Sequence, residues 1–447
     1  MDSVMGFTRK LAQFVVQSEH VKIPAWAFEH AKVAFLDWLA VTFGGKNEPL
    51  VLKLINYADL MGGNRQASVI GHQMKTSVNH AAMINGSASH ALDYDDTLVS
   101  FLGHPSVTLF PGLLALAEWK EKSGRDFLAA YLIGLQVGGT IGACAGLDHY
   151  MSGWHATSTI GHLASAAGCS CLLGLDEMQT IYALGISGTQ SSGLKRVFGT
   201  MCKPLHAGIA SQSGMTSALL AQSGFTCAED IIEGPQGFFE VLKGKVNKDI
   251  ISILGTGWDI QNLSQKYHAS CHATHSPIEA AKRVVKEHGI GLTTIKHINV
   301  HSSDIALNIA GKSDPETGLE GKFSIRYCVA NAILRGQTGM QAFTDEKVGD
   351  PSIRAFMGKV HVIHDPEMKA LEAIVEVQTT DGKIFKIFSD ILQQIPPLSE
   401  KRDRVRNKFM DLCGPVLGEE KARRLDEAVC SLYEADNVRL IVEEFLS

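Results

Sequence analysis

Hydrophobic residues recur at helical spacing through the first three-fifths of the chain. Near the amino end, Phe7, Leu11 and Phe14 follow one another at intervals of three and four residues, which is typical of an amphipathic helix. A second helix is predicted to begin after Pro24 and to end at the glycine pair at 44–45. Small residues let helix backbones approach closely, so we expect the Ala-, Gly- and Ser-rich segments to be inner helices of a compact all-α domain. These segments are 81–92, 111–119, 161–175 and 208–221.

The pattern changes near residue 270. Four segments are predicted as strands: 295–300, 359–363, 374–379 and 384–388. The last two flank an Asp-Gly hairpin turn at 380–383. Helices are predicted at 277–286 and 323–334, and a charged amphipathic helix follows the proline pair at 396–397. We therefore expect a mainly α protein of two domains. Residues 1–268, rejoined by 398–447, form an all-α helical domain, and residues 269–397 form a smaller α+β lid domain.

The composition excludes several classes of protein. With 447 residues, of which 45% are hydrophobic and 20% charged, the chain is too apolar for a disordered protein. The net charge of −6, without a long basic block, argues against a nucleic-acid partner. Nine scattered cysteines without a Cys-x-x-Cys pair favour a reducing, cytoplasmic setting, and we expect no signal peptide. Five glycines interrupt an uncharged run at 127–147, which favours a buried helix over a membrane span.

The segment His90–Thr97 contains three aspartates within four residues, followed by His104. Three carboxylates repel one another, so at least one pKa should rise unless cations or hydrogen bonds compensate. Taken alone, the pattern favours a helix end followed by a solvated acidic turn, with Asp96 or Thr97 capping the next helix. Two alternatives are a Mg²⁺ site for diphosphates and a protonated aspartate that acts on an alkene. No second acidic motif supports the first, and 7% aromatic residues disfavour the second.

Two further segments place cationic or titratable side chains at helix starts. His155 opens a helix of small residues, beside hydroxyls. Alone, it favours a capping histidine over a base or an anion contact. Lys203 precedes Pro204 at the start of a Gly- and Ala-rich helix. A cation near the positive end of a helix suits an anionic substrate, and a surface lysine in a loop is the equal alternative.

Three histidines, His268, His272 and His275, lie at i, i+4 and i+7. On a helix they would share one face and form a three-histidine metal site. Pro277 is typical of a helix start, so the histidines are expected in a loop instead, and no acidic general base stands among them. A metal site here is therefore the minor alternative.

Taken together, these segments resemble the MmgE/PrpD family of 2-methylcitrate dehydratase-like proteins. The resemblance covers essentially the whole chain, in the family's order and spacing. The matching segments are HALDYDDT (90–97), GHPS (103–106), WHATSTIGHLASAAG (154–168), GTQSSGL (188–194), CKPLHAGIASQSG (202–214), residues 266–275 and KFSIRYCVANAIL (322–334).

The resemblance implies a large all-α domain with an α+β lid, a homodimer, and an active site between the two domains. It also implies no metal, no organic cofactor and a small polycarboxylate substrate. Known family activities are dehydration of 2-methylcitrate, decarboxylation of cis-aconitate and epimerisation of iminodisuccinate. By position, the family's active-site residues correspond to Asp93, Thr97, His104, His155, Lys203, Lys266 and Tyr327.

The chemistry of these side chains suggests their roles. His104 and His155 are the proton-transfer pair, and Asp93 orients one of the two imidazoles. Lys203 and Lys266 bind the substrate and stabilise developing negative charge, and Thr97 and Tyr327 supply hydrogen bonds or a proton. The assignment of acid and base to the two histidines stays open.

We predict a cofactor-independent lyase that acts on a polycarboxylate. The segment 98–103 departs from the polar pattern common in dehydratases and decarboxylases of the family. The resemblance therefore does not assign the substrate of either activity to this chain. The first alternative is an epimerase of an imino- or amino-dicarboxylate. The second is a non-catalytic metabolite-binding protein, which the full set of proton-transfer groups disfavours.

Overall fold

The chain divides into two compact units. The structure, a computed structural model, describes residues 6–17 and 23–446. Unit 1 comprises the described residues up to Gln265 together with those from Lys401 onward, and unit 2 comprises Lys266–Glu400. The sequence analysis placed these boundaries at residues 268 and 397.

Helices dominate the described residues, and unit 2 holds α12–α17. The α-helices are α1 (Phe7–Val16), α2 (Ala25–Gly45), α3 (Pro49–Met61), α4 (Val78–His90), α5 (Ser106–Lys120), α6 (Gly124–Met151), α7 (Ala156–Leu173), α8 (Glu177–Gln190), α9 (Cys202–Gln222), α10 (Phe238–Val241), α11 (Lys248–Ser252), α12 (His275–Glu287), α13 (Asp304–Ala310), α14 (Gly318–Gly321), α15 (Ile325–Arg335), α16 (Asp345–Gly349), α17 (Pro351–Met357), α18 (Leu398–Leu417), α19 (Glu419–Cys430) and α20 (Val438–Ile441). The strands are β1 (Ala67–Val69), β2 (Met74–Thr76), β3 (Ile295–Ser302), β4 (Val360–His364), β5 (Glu372–Thr379) and β6 (Ile384–Asp390).

The core of unit 1 is built from helices α4, α5, α6, α7 and α9, which pack on one another. Small residues make this packing close. A Cβ atom at Gly86 of α4 would lie only 2.8 Å from the Cα atom of Gly208 in α9. The predicted inner helices are therefore confirmed. The short antiparallel hairpin of β1 and β2 in the same unit was not predicted.

Helix α6 contains the uncharged run at 127–147. Among the described residues, it is the one helix long and apolar enough to cross a membrane, but 89% of its most apolar window is buried inside the fold. Its glycines make room for the segment 98–103. A Cβ atom at Gly142 would lie 2.9 Å from the Cα atom of Phe101. The run is thus a packing surface for α5, α7 and the loop that carries Phe101.

Unit 2 is organised around a four-stranded mixed sheet with the strand order β4-β3-β5-β6. Strands β3 and β4 are parallel, with Val300 opposite Val362, and the other neighbours are antiparallel. The predicted hairpin turn joins β5 to β6, where the Thr379 N–H donates to the Lys383 carbonyl at 2.9 Å. Helix α12 covers the face of β5 and β6 that carries buried Val375 and Val377. The large helical domain and the smaller α+β domain are therefore both confirmed.

Candidate active site

Three imidazoles from distant segments converge in unit 1. His90 ends α4, His104 lies two residues before α5, and His155 stands just before α7. The ring centroids of His90 and His104 are 4.7 Å apart, and those of His90 and His155 are 6.0 Å apart. Helix packing rather than chain proximity therefore assembles the group.

The Asp95 carboxylate connects two of these rings. It lies 2.9 Å from Nδ1 of His90 and 2.8 Å from Nδ1 of His104. Burial opposes ionisation of Asp95, but the charges and hydrogen bonds of the two imidazoles outweigh it and hold its pKa well below 3.8. An ionised carboxylate only accepts hydrogen bonds. The His90 ring therefore directs its Nδ1 hydrogen toward Asp95, and the His104 ring is held beside the same carboxylate by a close Nδ1 contact.

The expected solvated acidic turn is wrong. Asp95 and Asp96 are each only 1% exposed, and the pattern of short polar residues after a helix gave no sign of this burial. Asp93 is partly exposed and holds a positive φ of 51°. Its carboxylate lies 3.2 Å from Nζ of Lys203 and 3.9 Å from Nε2 of His104. Asp95, not Asp93, thus makes the orienting contact with His104, and Asp93 faces the cation.

Asp96 has the opposite electrostatic character from its neighbour Asp95. Burial, together with the negative charges of Asp37 and Asp95, raises the pKa of Asp96 to about 8. The expected rise of one pKa in the aspartate group is therefore confirmed. The Ser106 hydroxyl donates to Asp96 at 2.5 Å, which ties the aspartate segment to the first residue of α5.

The pH dependence of stability should reveal this raised pKa. Since the folded pKa of Asp96 lies above the unfolded value of 3.8, its favourable contribution is complete below about pH 4 and is lost as the pH rises toward 8. An Asp96→Asn variant has no proton to lose. We expect its free energy of unfolding, relative to the wild type, to increase progressively from pH 4 to pH 8 in urea titrations. A pH-independent difference would contradict the assignment.

A buried ion pair contacts the backbone of the aspartate segment. Lys408 of α18 donates to the Asp37 carboxylate at 2.7 Å and to the Tyr94 carbonyl at 2.6 Å. The two charged side chains are only 2% and 1% exposed. Lys408 therefore fixes the backbone next to Asp93 and Asp95.

Removing this cation should destabilise the protein strongly. We expect Lys408→Met to lower the free energy of unfolding by about 3–5 kcal/mol, because Asp37 loses its buried counter-charge. Urea unfolding followed by circular dichroism measures the change. Lys53→Met on the exposed surface of α3 is the control and should alter it by less than about 0.5 kcal/mol. Similar values for the two variants would refute the role of the pair.

His155 occupies the N-cap position of α7 but does not cap it with its side chain. The expected capping histidine is therefore wrong. Its backbone N–H donates to the Gly193 carbonyl at 2.9 Å, and its ring is buried. Burial, followed by the positive charges of His90, Lys203, His104 and His206, lowers the pKa of His155 well below 6.5. The ring is thus neutral near pH 7, the form that accepts a proton.

Lys203 is the second residue of α9, so of the two alternatives the helix start is correct and the loop is wrong. Its ammonium group lies 3.2 Å from the Asp93 carboxylate and 5.4 Å from the ring centroid of Phe198. The first turn of a helix offers backbone N–H groups and a positive dipole end. Together these features suit a carboxylate ligand.

Thr97 and His104 bracket the segment that departs from the family pattern. Thr97 exchanges two backbone hydrogen bonds of 2.9 Å with Ser264, and the His104 N–H donates to the Thr157 hydroxyl at 3.2 Å. Between them Leu98 and Phe101 are buried. The segment 98–103 therefore contributes packing, and its two ends are held at fixed positions.

Lys266 and Tyr327 belong to unit 2. Lys266 is its first residue and is buried. Tyr327 lies on α15 with its hydroxyl donating to the Ala342 carbonyl, and burial raises its pKa to about 12. The hydroxyl proton is thus already engaged within unit 2, and a role for Tyr327 in proton transfer stays a prediction, as does the role of Lys266.

The three histidines His268, His272 and His275 do not lie on one face of a helix. Residues 268–271 form no helix, and a 3₁₀ turn at His272–Thr274 precedes α12. Both ring nitrogens of His268 are engaged, at 2.7 Å by the Thr338 hydroxyl and at 2.9 Å by Glu279. His275 contacts the Ser270 carbonyl at 3.3 Å. The ring centroids of His268 and His275 are 4.9 Å apart and those of His272 and His275 are 5.0 Å apart, but both nitrogens of His268 are already engaged by other residues, which disfavours a shared metal.

One group in unit 1 has the spacing of metal ligands. Candidate ligand atoms of His90, Asp93, Asp95 and His104 all lie within 4.8 Å of one another. However, Asp95 already accepts the Nδ1 hydrogen of His90 and lies close to Nδ1 of His104, and the Lys203 ammonium faces Asp93. A bound cation would have to displace these contacts. The arrangement therefore suits proton transfer better than metal coordination.

Metal independence is a direct prediction. We expect activity to survive exhaustive dialysis against EDTA, and metal analysis of the purified protein to show no stoichiometric zinc or iron. The reason is that the ligand atoms are held by hydrogen bonds and by the Lys203 ammonium. Loss of activity with the metal, and its return on adding the metal back, would reverse the assignment.

The comparisons with known proteins agree with this architecture. The MmgE/PrpD N-terminal domain matches residues 9–250, and the MmgE/PrpD C-terminal domain matches residues 268–433. The two matches together span most of the chain.

Named relatives align over nearly their whole lengths. A cis-aconitate decarboxylase of Aspergillus terreus is 26% identical, with 98% of this chain and 95% of the relative aligned. The cis-aconitate decarboxylase of Mus musculus is 27% identical over 92% of this chain and 87% of the relative. The 2-methylcitrate dehydratase of Cupriavidus necator is 25% identical over 85% and 83%. These relatives are lyases, and the chain belongs to the MmgE/PrpD family as an enzyme of the lyase class.

Proposed function

We propose that this lyase removes a proton next to a carboxylate of a small di- or tricarboxylic acid, without a metal or an organic cofactor. The observation that carries the proposal is the neutral, buried imidazole of His155 beside the cationic Lys203. His155, at the start of α7, provides a base, and Lys203, at the start of α9, provides a cation that can bind a carboxylate. Such chemistry needs both groups.

The first need is to hold and stabilise negative charge. When a carbon next to a carboxylate loses its proton, charge develops on the carboxylate oxygens. Lys203 and the first turn of α9 provide a cation and N–H donors for that charge, and in a site shielded from water such groups act strongly. Asp93 is the carboxylate partner of Lys203, so binding of a substrate carboxylate to Lys203 exchanges one carboxylate partner for another.

The second need is a pair of proton-transfer groups. In our proposal, the C–H proton passes to His155, and its electron pair remains on the substrate. In a dehydration, the C–O bond then breaks, and the leaving hydroxyl takes a proton from His104 to become water. Asp95 orients His104 for this step through its 2.8 Å contact with Nδ1, as the aspartate of a catalytic triad orients its histidine. In a decarboxylation, no C–H proton is removed first: the C–C bond to one carboxylate breaks, CO₂ leaves, the electron pair of that bond stays on the substrate, and one of the two histidines in its protonated form delivers a proton to the substrate carbon.

The named relatives supply the first substrates to test. The decarboxylases act on cis-aconitate and the dehydratases on 2-methylcitrate, as their names state. We would incubate the enzyme with 2-methylcitrate, citrate, cis-aconitate and iminodisuccinate, and follow each by ¹H NMR in H₂O and in D₂O. An unsaturated product or released CO₂ supports the proposal.

Two other outcomes would overturn it. Exchange of one C–H for deuterium with loss of chirality, and no unsaturated product, would make the protein an epimerase. Saturable binding without any turnover would make it a metabolite-binding protein. Heat-inactivated enzyme provides the background for all three measurements.

A further inference from the structure

His206 contacts the predicted base but has no part in the mechanism above. It lies on α9, three residues after Lys203 and close to one helical turn further along. Its Nδ1 atom is 3.0 Å from the Nδ1 atom of His155, and the two ring centroids are 5.3 Å apart. The contact joins the start of α7 to the first turns of α9.

Gly193 permits this contact. It has a positive φ of 128°, and a Cβ atom there would lie 2.7 Å from Cβ of Ser158 and 3.3 Å from Nδ1 of His206. Its carbonyl also accepts the backbone N–H of His155 at 2.9 Å. The absence of a side chain at this position therefore lets the two histidines meet while the backbone of one is held.

Two imidazole nitrogens at this distance share one hydrogen. If neither carried a hydrogen, two lone pairs would face each other, and if both did, two N–H groups would collide. Two arrangements remain. His155 donates its Nδ1 hydrogen and keeps a lone pair on Nε2, or His206 donates and His155 carries its hydrogen on Nε2.

We infer that His206 is a positioning residue that accepts the Nδ1 hydrogen of His155 and thereby leaves Nε2 of His155 as the proton-accepting atom. The tautomer of a histidine is set by the hydrogen bond that its other nitrogen makes. The inference deepens the proposed function and rests on it for the identity of the proton that Nε2 accepts.

The surroundings favour a neutral pair. Burial lowers the pKa of His206, and burial lowers that of His155 even further. The charged and titratable groups that face His155 are His90 of α4, His104 before α5, and Lys203 and His206 of α9. Each opposes a positive charge on His155, so one hydrogen rather than two occupies the contact near pH 7.

The tautomer can be observed in the wild-type enzyme without a substrate. We would label the histidines with ¹⁵N and record long-range ¹H–¹⁵N spectra at pH 7, which distinguish protonated from unprotonated ring nitrogens. Spectra of His155→Ala and His206→Asn identify the two rings. We expect Nδ1 of His155 to be protonated and Nε2 to be unprotonated. A protonated Nε2 on neutral His155 would overturn the inference.

Kinetics of two variants test the consequence. His206→Leu removes the acceptor, and we expect kcat to fall about 10²-fold while KM changes less than about threefold. His206→Asn places an amide oxygen near the former Nδ1 position, and it should keep kcat within about fivefold of the wild type. Gln212→Leu puts the same apolar side chain elsewhere on α9 and should leave both constants unchanged.

The outcomes separate this inference from the proposed function. If none of the four acids is turned over but Nε2 of His155 is unprotonated, the proposed function fails and the pairing stands. If an acid is turned over and His206→Leu matches the wild type, the inference fails and the proposed function stands. Equal loss of kcat in His206→Leu and His206→Asn, with both variants folded by circular dichroism, would also overturn it.

Discussion

Replacing Asp95 with asparagine is expected to lower kcat by about 10²–10⁴-fold, the largest effect of any substitution outside the two proton-transfer histidines. The ionised carboxylate accepts the Nδ1 hydrogen of His90 at 2.9 Å and lies 2.8 Å from Nδ1 of His104. An amide oxygen could take the Oδ2 position beside both rings, but asparagine carries no negative charge, so the electrostatic attraction that orients the two imidazoles is lost. Steady-state kinetics on the identified substrate, with circular dichroism to confirm folding, measures the loss.

The matched control is the next residue. Asp96 is equally buried, but its pKa is raised to about 8, so an amide resembles the neutral carboxyl that the wild type carries near pH 7. We expect Asp96→Asn to keep kcat within about threefold of the wild type. If Asp95→Asn and Asp96→Asn lose activity equally, both aspartates have only a structural role in the segment His90–Thr97. The orienting role of Asp95 is then wrong.

Substitution of His155 by alanine should cost about 10²–10⁴-fold in kcat, because it removes the proposed base. The pH profile adds a second signature. Since burial and the neighbouring cations hold the pKa of His155 well below 6.5, its base form persists in mild acid. Loss of wild-type kcat/KM through protonation of His155 should therefore occur only well below pH 6.5.

Two histidines outside the site provide the comparison. His361 lies on β4, and His288 follows α12, where its ring stacks on Phe385. We expect His361→Ala and His288→Ala to change kcat by less than about threefold. If His155→Ala and His361→Ala change kcat equally, the assignment of His155 to the active site is wrong, although the family assignment stands.

The sequence carried more information about the fold than about the contacts within the site. Helical spacing and the change near residue 270 predicted the two architectures, and the Asp-Gly pair predicted the turn between β5 and β6. These signals are local, since each depends on residues within one or two turns of chain. Strands β1 and β2 were not predicted, because each is only three residues long and no Asn-Gly or Asp-Gly turn joins them.

Within the candidate site, the sequence predicted that His104, His155 and Lys203 lie together, but it did not predict the contacts of these side chains with Asp95 and His206. Asp95 was predicted in a solvated turn, because short polar residues after a helix usually face water. Its burial depends on His90 and His104 arriving from α4 and from the segment before α5, a tertiary event without a local signal. The His90 side chain, five residues before Asp95 in the motif HALDYDDT, was the one available hint.

The long-range pairing of Lys408 has a consequence for biosynthesis. The contact joins residues 371 positions apart in the chain, and the whole of unit 2 is translated between them. During most of the synthesis of the chain, Asp37 is therefore present without Lys408, because Lys408 leaves the ribosome much later. Closing so distant a contact is a late and slow event in folding. Activity should thus appear only after release of the C-terminal helices, and truncations there should displace Asp93 and Asp95 through the Tyr94 backbone.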